Sequence, residues 1–598
     1  AAADFTGDGR IDFASVDHLV VNKVGQHDVT LAAGEVSTGN DFGIGSFDFG
    51  DAPAPYPVQS TEAGARHSAI GPTLGATRDI ESNGVHSSDA TADDAAGATD
   101  DEDGVVFGTI MAGQLDATVT VNVQNAPDGA KLDAWIDFNA DGSWGGPFEH
   151  VADSVAVVNG DNTISFDVPS WAVDGTTFGR FRLSTAGDLG IGGAADDGEV
   201  EDHQVTIHSA TPATGEFSAK LTVSSAVSAA NSVFTSDVDG DGDVDVLSAA
   251  WGSGTITWHE NDGNQSFSSH TITTSMPKTA AVFAVDFDQD GDVDVLATSQ
   301  TNNLLNWYEN DGNQSFSAHT ISSSVNDVRE IFVADIDGDG DWDVLSASMA
   351  DDKIAWHEND GSQNFTEHTI STTADRAISV YAADVDSDGD MDVLSASEWD
   401  DKIAWYENDG EQGFTERIIS SSANGAESVS AADIDGDGDV DVFAANHDQL
   451  AWYENDGNEQ FTLRLLSNEA DDFTSVFPAD ADGDGDLDLL IASRGDHRVA
   501  WYENNGDGSF TERTITTSVN DARSVVASDL DGDGDLDVLS ASVGDNTIAW
   551  YENSAIPTLD EIADLAVDED ASEQTVNLAG IGAGGSEVQP LLVTATSS

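Results

Sequence analysis

A nine-residue run of alternating aspartates, Asp237-Val-Asp-Gly-Asp-Gly-Asp-Val-Asp245, recurs with starts at Asp286, Asp335, Asp384, Asp433, Asp480 and Asp529. Successive starts lie 49 residues apart, except for one step of 47. A fixed period of this length means that one supersecondary unit is stacked many times over. A second marker keeps the same period: Trp258, Trp307, Trp356, Trp405, Trp452, Trp501 and Trp550, each followed by His or Tyr and then Glu-Asn. A third is a Phe with a basic residue three positions on: Phe267/His270, Phe316/His319, Phe365/His368, Phe414/Arg417, Phe461/Arg464 and Phe510/Arg513. Its seventh instance, Phe217/Lys220, precedes the first aspartate run.

Within a period the Val-, Ile-, Thr- and aromatic-rich segments between Gly/Asp/Asn turns predict four short strands. In the first copy these are roughly Ser232–Asp237, Val244–Ala249, Thr255–Glu260 and Phe267–Thr273. The last copy stops after Glu552-Asn553 without a fourth strand, and Phe217–Ser225 is placed to supply it. An open array has no use for a strand borrowed from its far end, whereas a ring does, because closure hides two strand edges. The expected fold is therefore all-β: a seven-bladed β-propeller of four-stranded blades over residues 214–555, closed by an N-terminal strand and preceded by a β-sandwich.

Each run has Asp at positions 1, 3, 5, 7 and 9 and Gly at position 6. Carboxylates so crowded repel by about 1 kcal/mol per pair in water and several times that near a protein surface. A fold gathers them only for a cation. Oxygen-only donors and a Gly at the sharp turn favour a hard ion, and the number of ligands favours Ca²⁺ over Mg²⁺. By analogy with other Asp-rich calcium loops, side chains 1, 3, 5 and 9 coordinate. These are Asp237, Asp239, Asp241 and Asp245, then Asp286, Asp288, Asp290 and Asp294, then Asp335, Asp337, Asp339 and Asp343. The fourth and fifth sets are Asp384, Asp386, Asp388 and Asp392, and Asp433, Asp435, Asp437 and Asp441. The last two are Asp480, Asp482, Asp484 and Asp488, and Asp529, Asp531, Asp533 and Asp537. Position 7 offers its backbone carbonyl: Asp243, Asp292, Asp341, Asp390, Asp439, Asp486 and Asp535. An EF-hand is excluded at position 12, where Ser248, Ala297, Ser346, Ser395, Ala444, Ile491 and Ser540 stand in place of a bidentate acid.

In spacing and loop chemistry the repeats resemble FG-GAP/VCBS repeats, the family that builds integrin-type propellers. Gln289 and Ser387 depart from it by replacing Gly at position 4. The resemblance implies calcium loops on one face and ligand binding on the other. Residues 47–209 do not repeat. Their landmarks include Asp48-Phe-Gly-Asp-Ala-Pro53, Trp135-Ile-Asp-Phe-Asn-Ala-Asp-Gly142, Gly179-Arg-Phe-Arg-Leu-Ser184 and Gly198-Glu-Val-Glu-Asp-His203. The series resembles the bacterial GEVED domain, with His203 where that family usually has Tyr. Alternation over Ala117–Val123, Lys131–Phe138, Asn162–Val168, Phe178–Leu183 and Gln204–His208 suggests a β-sandwich. Asp137, Asn139 and Asp141 ahead of Gly142 read either as a further calcium site or as a plain turn.

Residues 1–46 read as the tail of a preceding β domain, with a calcium-loop-like Asp4–Asp12 interrupted by Arg10, and residues 556–598 as the start of a truncated Ig- or cadherin-like domain. With Ala1 in place of Met, the chain reads as a section of a larger surface protein. It carries 113 acidic and 19 basic residues, a net charge of −94, which opposes nucleic-acid or anionic-membrane binding. No run of about 18 apolar residues is present to insert in a membrane. Without Cys there is no disulfide, thiolate zinc site or cysteine nucleophile.

The cation slot formed by Lys220, His270, His319, His368, Arg417, Arg464 and Arg513 is expected to pair across strands, and the repeated Trp to pack between blades. Breaks from the repeat concentrate between second and third strands, at Trp251, Asn302, Asp352, Trp399, Asp400, His447, Arg494, His497 and Asp545. Of these, Trp251, Trp399, His447, Arg494 and His497 form a candidate ligand face; carbohydrate stacking and drifted surface loops both account for them. Arg494-Gly-Asp496 reads as coincidence in a chain so rich in Gly-Asp. The function expected is a calcium-binding, non-enzymatic adhesion or polysaccharide-binding module, secreted or on the bacterial cell surface, its partner an extracellular polysaccharide or surface protein. The alternative is a propeller-based carbohydrate-active enzyme, a polysaccharide lyase or sugar dehydratase, although no catalytic cluster stands outside the repeat.

Overall fold

The computed structural model describes residues 2–3, 12–13, 47–78, 80, 83–91, 102–410, 412–468 and 472–554. The chain divides into two compact units, Ala1–Ser46 and Phe47–Ser598. In the first, Ala2–Ala3 pairs antiparallel with Asp12–Phe13. Most of the Asp4–Asp12 loop and all of the expected 556–598 domain lie outside the described residues.

In the second unit each period forms a four-stranded antiparallel sheet in chain order. Sheet 1 comprises Ala230–Ser236, Asp245–Ala250, Thr255–Asn261 and Phe267–Thr273. Sheets 2 to 6 follow from Val282, Val328, Ala377, Ala426 and Phe473. Sheet 7 takes Ala522–Ser528, Asp537–Ser542 and Thr547–Tyr551 from the C-terminal side and Leu221–Ser224 from the N-terminal side. The regular part of this borrowed strand, Leu221–Ser224, is shorter than Phe217–Ser225 and carries a bulge between Thr222 and Ser224. Upstream of it, Ser218 N–H donates to the Glu552 carbonyl (2.7 Å) and Thr214 N–H to that of Ser554 (2.8 Å).

The second strand of each sheet is buried on both faces, which is why it reads Asp-Val-Leu-Ser-Ala-Ala with no polar alternation. Successive side chains point to opposite faces. Val246 and Ala250 therefore join a core shared with Leu539, Ala541 and Trp550 of sheet 7, while Leu247 and Ala249 join one shared with Val295 and Ala297 of sheet 2. One such core lies between each pair of consecutive sheets, and another between the first sheet and the last.

Residues 47–209 add two further four-stranded sheets around a separate apolar core, and a small three-stranded sheet of Ala194–Ala195, Arg66–Ser68 and Phe47–Phe49. One pairs Gly160–Phe166, Ala117–Gln124, Thr73–Leu74 and Val105–Phe107; the other orders Glu199–Ile207, Gly175–Ser184, Ala130–Ile136 and His150–Val157. His150–Val157 was not among the expected strands, since it carries two bulges, opposite Leu132–Ala134 and Ala134–Trp135 of its partner, that break the alternation. Among the described residues the sole helical turn is the 3₁₀ segment Ser60–Glu62.

Candidate metal centre and ligand face

The aspartate runs form the tight connections between the first and second strands. In the first, Asp237 accepts the backbone N–H groups of Gly240, Asp241 and Gly242 at 2.8, 3.2 and 2.8 Å, which wraps the loop around its carboxylate. Position 6 is always Gly because its φ lies between +89° and +98°. Position 4 has φ near the left-handed helical value, 57–75°, which an L residue can adopt; hence Gln289 (61°) and Ser387 (57°) are tolerated there.

One carboxylate oxygen each of Asp237, Asp239 and Asp245 lies within 4.8 Å of the others, and Asp286, Asp288 and Asp294 repeat the arrangement. In the third loop it is Asp335, Asp337 and Asp339 that converge. The Oδ1 atoms at position 3 (Asp239, Asp288, Asp337, Asp386 and Asp482) are buried without a hydrogen-bond partner. In the first six loops the position 7 side chain turns away towards the Gly of the third-to-fourth strand turn, where a Cβ on Gly263 would meet Asp243 at 2.4 Å, whereas Asp535 of the seventh is buried. Burial, reinforced by neighbouring aspartates, pushes Asp286 and Asp480 up to about 7, Asp294 to about 8 and Asp488 to about 9. A hard dication at the orphaned oxygens would offset that cost, so the donor set fits the ion expected of it.

The position 9 carboxylate has a second task. Asp245 accepts the Asn261 N–H (2.7 Å) and the Trp258 indole N–H (2.8 Å), so the Trp-x-Glu-Asn marker is fixed to the loop. The Asn261 amide then donates to Val244 O of its own loop (3.1 Å) and to Leu530 O of the sheet 7 loop (2.9 Å). Asn310, Asn408, Asn455, Asn504 and Asn553 repeat this bridge to the preceding loop through Val238, Ile336, Val385, Ile434 and Ala481. Their strict spacing signalled importance, but only the structure shows that they join loops of different repeats.

The basic slot pairs across strands: His270–Glu260, His319–Glu309, His368–Glu358, Arg417–Glu407, Arg464–Glu454 and Arg513–Glu503, all at 2.5–2.7 Å. Lys220 instead meets Asp545 at 2.9 Å. These side chains also cover the buried Trp rings, for example His270 over Trp258 at 4.7 Å and Arg417 over Trp405 at 5.3 Å. The outer-strand Phe of the neighbouring sheet packs edge-on against the Trp in several repeats, Phe414 on Trp356, Phe461 on Trp405 and Phe510 on Trp452, and Phe217 does so on Trp501 at 6.2 Å.

The loop-bearing ends of the sheets are not free. Asp384 N–H donates to Asp141 (3.1 Å), Asp335 N–H to Gly145 O (3.0 Å), and Phe148 stacks on Phe283 at 6.3 Å. Sequence alone did not place the GEVED-like segment on this face. Asp137 and Asp141 are buried in it beside Glu149, which sequence reasoning missed because it lies eight residues beyond Asp141. Burial pushes all three carboxyls up, and for Asp137 and Glu149 their neighbours' charges add to it. Tyr56 donates to Asp137 Oδ2, whereas Oδ1 is buried without a partner; Asn139 bonds Asp141 at 2.9 Å. The Gly-Glu-Val-Glu-Asp motif is structural here: Glu199 caps Leu74 N–H (2.6 Å), Glu201 caps Gly104 N–H (3.0 Å), and Asp202 pairs with fully buried Arg180 at 2.7 Å.

The candidate ligand residues follow the second strands and so lie at the opposite ends of the sheets from the aspartate loops. Trp399 is 67% exposed with Arg376 over its ring at 5.1 Å, and Trp251 is 38% exposed with Lys278 at 4.9 Å. His447 pairs with Glu427 (3.1 Å), Arg494 with Asp472, and His497 accepts the Asp521 N–H (3.1 Å). Arg494 and Asp496 are thus tied down, Asp496 by Ser493, and do not form a free tripeptide.

The described geometry is that of a repeat protein, and the comparisons name its class. The FG-GAP-like repeat family matches six overlapping segments that together run from 237 to 540, just over half of the chain, and a GEVED domain matches residues 131–206. The chain belongs to the FG-GAP-like repeat family and carries a GEVED domain. No curated protein matches it. Among solved structures, an Agrocybe aegerita lectin described as recognising non-reducing terminal N-acetylglucosamine is 17% identical, over 48% of this chain and 80% of that one, with a TM-score of 0.38. An auxiliary nutrient binding protein from Bacteroides thetaiotaomicron is 9% identical over 75% and 98%, at 0.35. A functionally unknown protein from Desulfotomaculum acetoxidans is 11% identical over 56% and 92%, at 0.34.

Proposed function

We propose that the repeats form a closed seven-bladed β-propeller, residues 214–555, pinned by calcium in its aspartate loops, and that the chain is a non-enzymatic adhesion or polysaccharide-binding module of a secreted or cell-surface bacterial protein. Closure is supported by the core between sheets 1 and 7 and by the Asn261–Leu530 bond across the same junction. The observation that carries calcium is the buried, partnerless Oδ1 of position 3 recurring from loop to loop. Asp137, Asn139, Asp141 and Glu149 make an eighth, interdomain site of the same oxygen chemistry. Weak calcium affinities of extracellular modules suit an environment outside the cell. The exposed Trp251 and Trp399, each with a cation on one face, suit stacking on sugar rings at the end away from the aspartate loops.

The test is in two parts. Metal analysis and calorimetry of the chelator-treated chain should recover about seven calcium ions per chain in the repeats, and a chain that takes up none overturns the metal assignment. Glycan-array binding without turnover would support the binding role, whereas release of an unsaturated sugar from an acidic polysaccharide would replace it with a lyase.

A further inference from the structure

Asp133, His150 and Asp153 place one ligand atom each within 4.8 Å of one another on the outer face of the GEVED sheet. The cluster owes its shape to two register shifts between Ala130–Ile136 and His150–Val157, which turn His150 and Asp153 to the same side as Asp133. Asp133 is completely buried; Ser154 binds its Oδ1 through N–H (2.9 Å) and Oγ (3.3 Å), the Leu189 N–H also favours its charged form, and its Oδ2 is left without a close hydrogen-bond partner. The His150 Nε2 is likewise buried and partnerless, while its ring is fixed by stacking on Trp135 at 4.6 Å. The buried Arg182 guanidinium favours the charged form of Asp133 through space, but it spends its hydrogen-bond donors on His67 and on the carbonyls of Gly190, Gly192 and Gly193. His150 and Asp153 also line a cavity of about 620 Å³ between the GEVED sheet and the repeats, so an ion has an entry path and an open coordination position.

We infer that Asp133, His150 and Asp153 form a site for a divalent first-row transition metal of the zinc type, distinct from the calcium loops. One imidazole with two carboxylates is the donor mix such ions prefer, whereas calcium takes oxygen alone. Tetrahedral bonds of about 2.1 Å require ligand atoms about 3.4 Å apart, so modest side-chain rotation from the present spacing closes the site. Three protein ligands leave the fourth position to water or to a donor atom from whatever enters the cavity.

The probe is Co²⁺ added to the full chain in saturating calcium, which keeps the oxygen sites filled. The expected result is one equivalent bound with visible d–d bands, displaced by Zn²⁺, and at least tenfold weaker binding in His150→Ala and in Asp153→Asn. His270→Ala, on the outer strand of sheet 1, should bind as the parent does. Because Asp153 is half-exposed, its variant remains informative should His150→Ala not fold. Absence of Co²⁺ uptake by the parent chain, or uptake unchanged in Asp153→Asn, overturns the assignment.

Discussion

The Asn bridges allow a sharp test of how neighbouring sheets are held. Replacing Asn261 with Ala leaves its backbone bond to Asp245 but removes the amide that serves two buried carbonyls, Val244 O and Leu530 O. A buried acceptor left unpaired costs about 1–3 kcal/mol, so two of them set the loss at about 2–6 kcal/mol. Asn359 is the internal control: among the described residues its amide reaches only Trp342 O, at 3.3 Å, and makes no bond to the preceding loop. Asn359→Ala should therefore cost about half as much. Asn261→Asp keeps the volume but turns a carboxylate towards two carbonyls, and should be worse than Ala. Urea unfolding in saturating calcium, followed by fluorescence of the buried tryptophans, measures all three. Equal losses in Asn261→Ala and Asn359→Ala would refute the idea that the interloop bond stabilises the array.

Calcium removal should destabilise strongly, since a site filled at 100 times its dissociation constant contributes about 2.7 kcal/mol, and a melting temperature unchanged by EDTA would contradict it. Without metal the sign of the pH dependence reverses. Folded-state carboxyls raised to about 7–9 at Asp286, Asp294 and Asp488 favour the protonated native state, so metal-free stability should fall as pH rises from about 4 to 8, whereas calcium-loaded protein should lose stability on acidification. Phe217→Ala removes a half-buried ring from Trp501 and should cost about 2 kcal/mol in the same urea assay, although it lies outside every aspartate repeat. Trp399→Ala should leave stability within about 1 kcal/mol, because the ring is exposed, yet weaken any glycan captured on an array at least tenfold.

Much of the fold was legible because the repeat states its grammar seven times. Strand positions, cross-strand pairing of the basic slot and the packing of the Trp rings all follow from periodic polarity, and the structure places them as expected, except for Lys220, which meets Asp545. His150–Val157 was missed because bulges break the period on which strand recognition rests. Glu149 and Asp133 escaped notice for another reason: neither lies in a motif, and each acquires its neighbours only when the sheets assemble.

The linear order of residues by itself determined the local chemistry: which turns need glycine, which strands are buried on both faces, and which aspartates crowd a loop. Those properties depend on neighbours a few positions away, so they can be read along the chain. Tertiary structure alone decided that Asn261 reaches Leu530, 269 residues distant, and that the GEVED domain covers the aspartate-loop ends and leaves Trp251 and Trp399 exposed at the other. Such contacts depend on how whole surfaces fit together, and no short pattern encodes that fit.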